Sequence, residues 1–268
     1  MSDALFRREG DLYLPTALTE GPWSPEAQHG GPPAALLAGA IEKSPAETDV
    51  LVARVTIELL RPVPLQPLRL ESEVVRPGRK IQLVSASLSH QGTEVARALG
   101  LRIRRTDLDI PFDQPVEPPI PGPDEGRPAI FFENAGAFAT DAVEIMMLQG
   151  DFAEAGPGQA WLRLKFPLVE GEETTGVERV AAAADFGNGV SNLGGKDRSW
   201  LFINPDLEIR LIRPPDGEWI HLNSETRINP EGVGVATSTI GDRAGWLGIA
   251  SQSLLVDAIG PGQKPPPR

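Results

Sequence analysis

The chain has 268 residues, 40% hydrophobic and 23% charged, proportions ordinary for a globular protein large enough to bury a core. It has no cysteine, which excludes disulfides, thiolate metal sites and a cysteine nucleophile. A formal net charge of −12 argues against non-specific binding to nucleic acid and against docking on an anionic membrane, while leaving room for an anionic small ligand at a local basic patch.

Residues 1–9 hold Arg7, Arg8 and Glu9 rather than a signal-peptide apolar stretch, and no apolar run approaches the roughly 20 residues that span a bilayer, so a soluble cytoplasmic protein is expected. A first helix is expected over 34–43, rich in alanine and leucine, with Pro32 and Pro33 suited to its first turn. Period-two alternation predicts strands over 52–60, 68–75, 81–89 and 95–104, with Pro77-Gly78 and Gln91-Gly92 as turns between them. Residues 109–128 carry Pro111, Pro115, Pro118, Pro119, Pro121, Pro123 and Pro128, and proline cannot donate inside a sheet or helix, so this stretch is expected to be a semi-extended linker. Beyond it the pattern predicts strands over 142–148 and 159–166, a helix over 177–191, and strands over 206–212, 219–228, 233–240 and 247–256. Residues 260–268 resemble the linker and are expected to fray. The expected division is a first module over 1–108, the linker over 109–128, a second module over 129–259 and the tail.

The two modules repeat one another. Without a gap, Ile57, Leu59, Arg61 and Pro62 fall on Ile209, Leu211, Arg213 and Pro214, an offset of 152. At the same offset Leu70, Ser72 and Glu73 fall on Leu222, Ser224 and Glu225, and Ala98 falls on Ala250. Such a repeat points to an internal duplication. One helix followed by an antiparallel meander buries its apolar stripe on one sheet face, giving an α+β module.

Chemistry is sought where the copies differ. At the common offset Asp185 stands against Pro33, Asn204 against Val52 and Gln252 against Gly100, so polar groups are kept in the second copy only, as one active site per chain would require. Asp185 follows four alanines, Ala181 to Ala184, in a stretch expected to be buried. A carboxylate there is costly unless hydrogen-bonded, and burial would raise its pKa and suit it to general-base work; alternatively it ends the helix beside Gly187 and Gly189. His29, Gly30 and Gly31 precede the first helix, where backbone N–H groups favour negative charge. A tight turn explains the glycines equally well, and His29 alone reads more readily as a cap or packed side chain. His90 and His221 read as structural, and no His/Asp/Glu cluster has metal-ligand spacing. Arg102, Arg104, Arg105 and the pair Asp197-Arg198 read as solvated faces, with a phosphate contact as the alternative.

The segments His29-Gly30-Gly31-Pro32-Pro33-Ala34-Ala35-Leu36-Leu37, Ala184-Asp185-Phe186-Gly187-Asn188, Phe202-Ile203-Asn204-Pro205-Asp206 with Arg213-Pro214, and Ala250-Ser251-Gln252-Ser253-Leu254 together resemble the type II acyl-CoA thioesterases, over roughly residues 21–256. The resemblance implies a double hotdog, two tandem helix-wrapped antiparallel sheets forming one pseudo-dimeric unit. It implies an acyl-CoA substrate, no cofactor, and double hotdogs associating into homo-oligomers. It also implies a catalytic set in which Asp185 takes a proton from water while Gln252 and a hydroxyl residue position that water; the backbone N–H groups of Gly30 and Gly31, opening the first helix, are candidate oxyanion donors. The hydroxyl position falls on Asn204, a departure from the family pattern. Two other functions remain in view. An enoyl-CoA hydratase would need a histidine a few residues after the aspartate, and none follows Asp185 through Lys196. An acyl-binding protein without catalysis would accommodate Asn204.

Overall fold

The computed structural model describes residues 3–129, 136–195 and 199–259. The tail at 260–268 and the candidate phosphate contact at Asp197-Arg198 lie outside the described residues.

Strands β1 (Phe6–Glu9) and β2 (Leu12–Pro15) form a hairpin too short for its alternation to stand out in the sequence. Helix α1 (Gly31–Lys43) opens on a glycine and two prolines, where missing donors cost nothing, and is buried almost throughout as far as Ile41. Strands β3 (Val50–Leu59), β4 (Leu68–Arg76), β5 (Ile81–His90) and β6 (Thr93–Arg104) wrap it close to their expected spans. The second half contributes β7 (Arg127–Pro128), β8 (Val143–Gln149), β9 (Gly158–Leu164), α2 (Gly176–Ala184), α3 (Gly187–Val190), β10 (Trp200–Ile203), β11 (Asp206–Leu211), β12 (Ile220–Asn229), β13 (Val233–Asp242) and β14 (Gly245–Ala258).

All these strands join one sheet in the order β1-β2-β4-β5-β6-β3-β11-β14-β13-β12-β9-β8-β7, with β10 on β14. The seam between halves is β3 against β11, antiparallel, and Thr56 lies opposite Glu208, its equivalent at the 152 offset. The neighbouring rungs exchange roles: Glu58 faces Asp206 and Arg54 faces Arg210. A pseudo-two-fold axis therefore passes through the Thr56–Glu208 rung. The same offset carries Leu70 opposite Leu88 onto Leu222 opposite Ile240, and Val84 opposite Gly100 onto Ala236 opposite Gln252. The fold is the expected α+β double hotdog. Both halves share one apolar cluster, and α1 packs against α2 across its centre, with no room for a side chain at Gly31 beside the Ala182 carbonyl.

The helices depart from the constant offset. α1 opens at Gly31 and α2 at Gly176, and β10 is inserted after the second helical region, so Asp185 does not occupy the place of Pro33. The helix expected over 177–191 is also broken in two. A capping box starts α2, with the Thr175 hydroxyl accepting the Glu178 N–H (3.2 Å) and the Glu178 carboxylate accepting the Thr175 N–H (2.7 Å). The run ends at Asp185, where the Phe186 N–H turns back to the Ala183 carbonyl (3.0 Å) and the Gln252 amide takes the Asp185 carbonyl (3.1 Å). α3 then restarts at Gly187, where a Cβ would lie 2.9 Å from the Ser238 hydroxyl.

Arg102 is not on a solvated face. It is 1% exposed and donates to the carbonyls of Glu42 (3.1 Å), Ser44 (2.6 Å) and Pro45 (2.7 Å), closing the C-terminal end of α1, and to the Gln82 side chain. Arg104 and Arg105 are exposed, and Arg105 pairs with Asp49 at 3.2 Å. The proline-rich segment crosses the second half of the sheet: Pro121 accepts the Trp161 indole N–H at 2.8 Å, and Ile120 fills the space above Gly241.

His221 is buried beside Trp161, ring centroids 5.1 Å apart, and its Nε2 has no hydrogen-bond partner among the described residues. Burial pushes its pKa down to about 4. Between the ordinary imidazole value and about 4 the unfolded chain binds a proton that the folded chain does not, so stability falls as pH falls through that window. Urea unfolding is expected to show a loss of about 3 kcal/mol between pH 6.5 and 4 in wild type that is missing in His221→Phe. An equal pH dependence in both proteins would contradict this assignment. No helix among the described residues is long and apolar enough to cross a membrane.

Candidate active site

The C-terminal end of α2 points Asp185 at the start of α1, so the site is built from both halves. The Asp185 carboxylate, its side chain 4% exposed, meets His29 Nδ1 at 2.7 Å through Oδ2. Its Oδ1 accepts the Asn204 amide at 2.7 Å and the Gln252 amide at 3.4 Å. Gly30 lies directly against it: a Cβ there would stand 2.7 Å and 2.8 Å from the two carboxylate oxygens. A carboxylate buried this far is tolerable because donors surround it.

Each partner is fixed by its own element. Asn204 sits at the corner between β10 and β11, and the next aspartate, Asp206, accepts the Ser253 N–H (2.6 Å) and hydroxyl (3.2 Å), tying that corner to β14. Gln252 is 2% exposed on β14; its amide oxygen accepts the Asn188 N–H (3.1 Å), so its NH₂ must face Asp185. His29 is 7% exposed and lies between two rings, stacked on Phe186 at 4.8 Å and tilted against Phe138 at 5.0 Å. The Gly31 N–H also approaches His29 Nδ1, at 3.2 Å, and among the described residues the Gly30 N–H has no acceptor.

Asp185, Asn204, Gln252, His29, Gly30 and Gly31 are thus all brought together. Sequence reasoning undervalued His29, whose partner comes from the other half of the chain, and gave no role to Phe138 or Phe186. The hydratase alternative lost ground for want of a nearby histidine along the chain; the structure supplies one across the halves. Among the described residues the first half has no equivalent cluster. Val52 and Gly100 hold the strand places of Asn204 and Gln252, and Ile41 fills the space beside Gly100, where a Cβ would lie 2.2 Å from its methyl.

Gly30 carries a further expectation. Its φ of −64° and ψ of −26° suit any residue, so only space demands glycine here. Gly30→Ala is expected to fold with a lowered Tm, because the added methyl overpacks the buried carboxylate, and to lose about 10²-fold in kcat, because a small displacement of a positioned group has that cost. Unchanged kcat would show that the carboxylate's position is not critical.

The chain matches the acyl-CoA thioesterase N-terminal domain over residues 19–103 and the acyl-CoA thioesterase C-terminal domain over residues 113–256. It belongs to the acyl-CoA thioesterase family. Among solved structures it is similar to a thioesterase candidate from Novosphingobium aromaticivorans, at 21% identity and a TM-score of 0.71, covering 95% of this chain and 99% of that one. It is also similar to a hot dog fold protein of unknown function from Alicyclobacillus acidocaldarius (15% identity, TM-score 0.73, 94% and 96% covered) and to acyl-CoA thioesterase II TesB2 from Mycobacterium marinum (16%, 0.62, 97% and 96%). A search of curated proteins finds no match.

Proposed function

We propose that the chain hydrolyses acyl-CoA thioesters by attack of water at one site per chain. Family membership supports thioester hydrolysis in general; the observation that carries the finer assignment is the buried Asp185 carboxylate, which meets His29 from the first half and the Asn204 and Gln252 amides from the second. Asp185 drives removal of the water's proton, directly or through the imidazole it holds. Asn204 and Gln252 fix the carboxylate and border the water's position, Asn204 supplying an amide where the family has a hydroxyl. The Gly30 and Gly31 N–H groups at the start of α1 are the candidate donors to the carbonyl oxygen as it gains charge. Exposed apolar side chains on both halves of the sheet, among them Ile81, Ile103, Val233 and Leu255, support association of whole chains into a homo-oligomer.

The His29–Asp185 pair favours a second activity, addition of water to an α,β-unsaturated thioester. Incubation with a short enoyl-CoA separates the two by product. Free thiol and unsaturated acid are expected. A hydroxyacyl thioester with its thioester bond intact would support the hydratase, and neither product would favour an acyl-binding protein.

A further inference from the structure

Resting on the hydrolase assignment and deepening it, we infer that His29 is a catalytic residue that accepts the water's proton at Nε2, and that Asp185 is the positioning residue behind it. At 2.7 Å, Nδ1 and the carboxylate oxygen cannot face each other as two lone pairs, so a proton lies between them. The stronger arrangement is the charge-assisted one, Nδ1–H donating to Oδ2. Nδ1 then cannot also accept from Gly31, whose N–H at 3.2 Å is the longer contact. This fixes the tautomer: Nε2 carries the lone pair, and among the described residues it has no hydrogen-bond partner.

The carboxylate is less free than the imidazole. Its Oδ2 is taken by His29, its Oδ1 by Asn204 with Gln252 behind, and the Gly30 backbone packs against both oxygens. A base held by a third group, with its second nitrogen open, is the arrangement that generates a nucleophile from a weak acid. Phe138 and Phe186 hold the ring from two sides, and Asp185 is the charged group in contact with it among the described residues. In the reaction, the water oxygen bonds to the thioester carbon as its proton passes to Nε2. The imidazolium formed is stabilised by Asp185. Collapse then breaks the C–S bond, and Nε2 returns the proton to the departing sulfur, giving acid and thiol.

His29→Asn and His29→Gln separate the two nitrogens. The asparagine amide can occupy the place of Nδ1 and keep the bond to Asp185, yet has nothing at Nε2. Both variants are expected to lose about 10²–10⁴-fold in kcat/KM on an acyl-CoA that wild type hydrolyses, and to lose the acid limb of its pH profile. With three histidines in the chain, long-range ¹⁵N spectra of wild type give the tautomer without turnover, and the Nδ1–H form is expected for His29. His29→Asn retaining near wild-type rate and its acid limb would overturn the inference while leaving the hydrolase standing. An Nε2–H tautomer would overturn it by itself. Absence of wild-type turnover on any thioester would remove the hydrolase assignment and this inference with it.

Discussion

Asp185→Asn is expected to lower kcat/KM by about 10²–10⁴-fold while the protein remains folded, because the exchange keeps shape but removes the charge and turns one of two acceptors into a donor. In wild type both carboxylate oxygens face donors, His29 Nδ1 on one side and the Asn204 amide on the other. An asparagine must turn its NH₂ toward one of them. If it faces His29, the ring has to adopt the opposite tautomer and Nε2 becomes a donor, which reverses the site's polarity. If it faces Asn204, two donors meet at the 2.7 Å now occupied by a hydrogen bond. Either way the loss falls on kcat more than on substrate binding. A KM change alone, with kcat intact, would place Asp185 outside the chemistry.

Arg213→Ala is expected to cost about 3–5 kcal/mol of stability in urea unfolding, because it strands a buried carboxylate. The Arg213 guanidinium meets both oxygens of Asp242, at 2.6 Å and 2.7 Å, and the Asp242 side chain is fully buried. The N–H groups of Asp216 (2.9 Å) and Ala244 (2.8 Å) complete the cage, joining the β11–β12 connection to the β13–β14 turn. Burial alone would raise the Asp242 pKa, but Arg213 and the two backbone donors more than offset it and hold the carboxyl below its usual value. Its contribution to stability is therefore present above the ordinary carboxylate range and lost as pH falls through the lowered value. Arg213→Ala with Asp242→Asn is expected to recover part of the loss, since the second change removes the unpaired charge. A single-variant cost below about 1 kcal/mol, the scale of an exposed pair, would contradict the account.

The strands were legible because a sheet has a period that sequence displays, and because the duplication repeats it rung for rung. Gln252 and Asn204 could be found for the same reason: Gln252 lies on β14 and Asn204 just before β11, and their equivalents at the strand offset, Gly100 and Val52, are bare or apolar. The helices were less legible. Their offset is not that of the strands, and the break after Asp185 depends on a glutamine far along the chain taking a carbonyl that a helix would otherwise use. Arg102 was misread because it alternates with Arg104 on one face of β6, and only tertiary structure shows that Arg102 lies under the end of α1 while Arg104 lies past it. Arg213 shares its Arg-Pro with Arg61 in the other copy, yet Arg61 is exposed, so the repeat could not announce the pair with Asp242. His29 was undervalued for the most general reason: its meaning lies in Asp185, which the fold brings from the opposite half.

The most direct test of the central claim is thiol release from a panel of saturated acyl-CoA thioesters, short to long chain, by the wild-type protein beside Asp185→Asn. Turnover on part of the panel that collapses in the variant is the predicted result. No turnover on any thioester, or equal turnover in the two proteins, would contradict it.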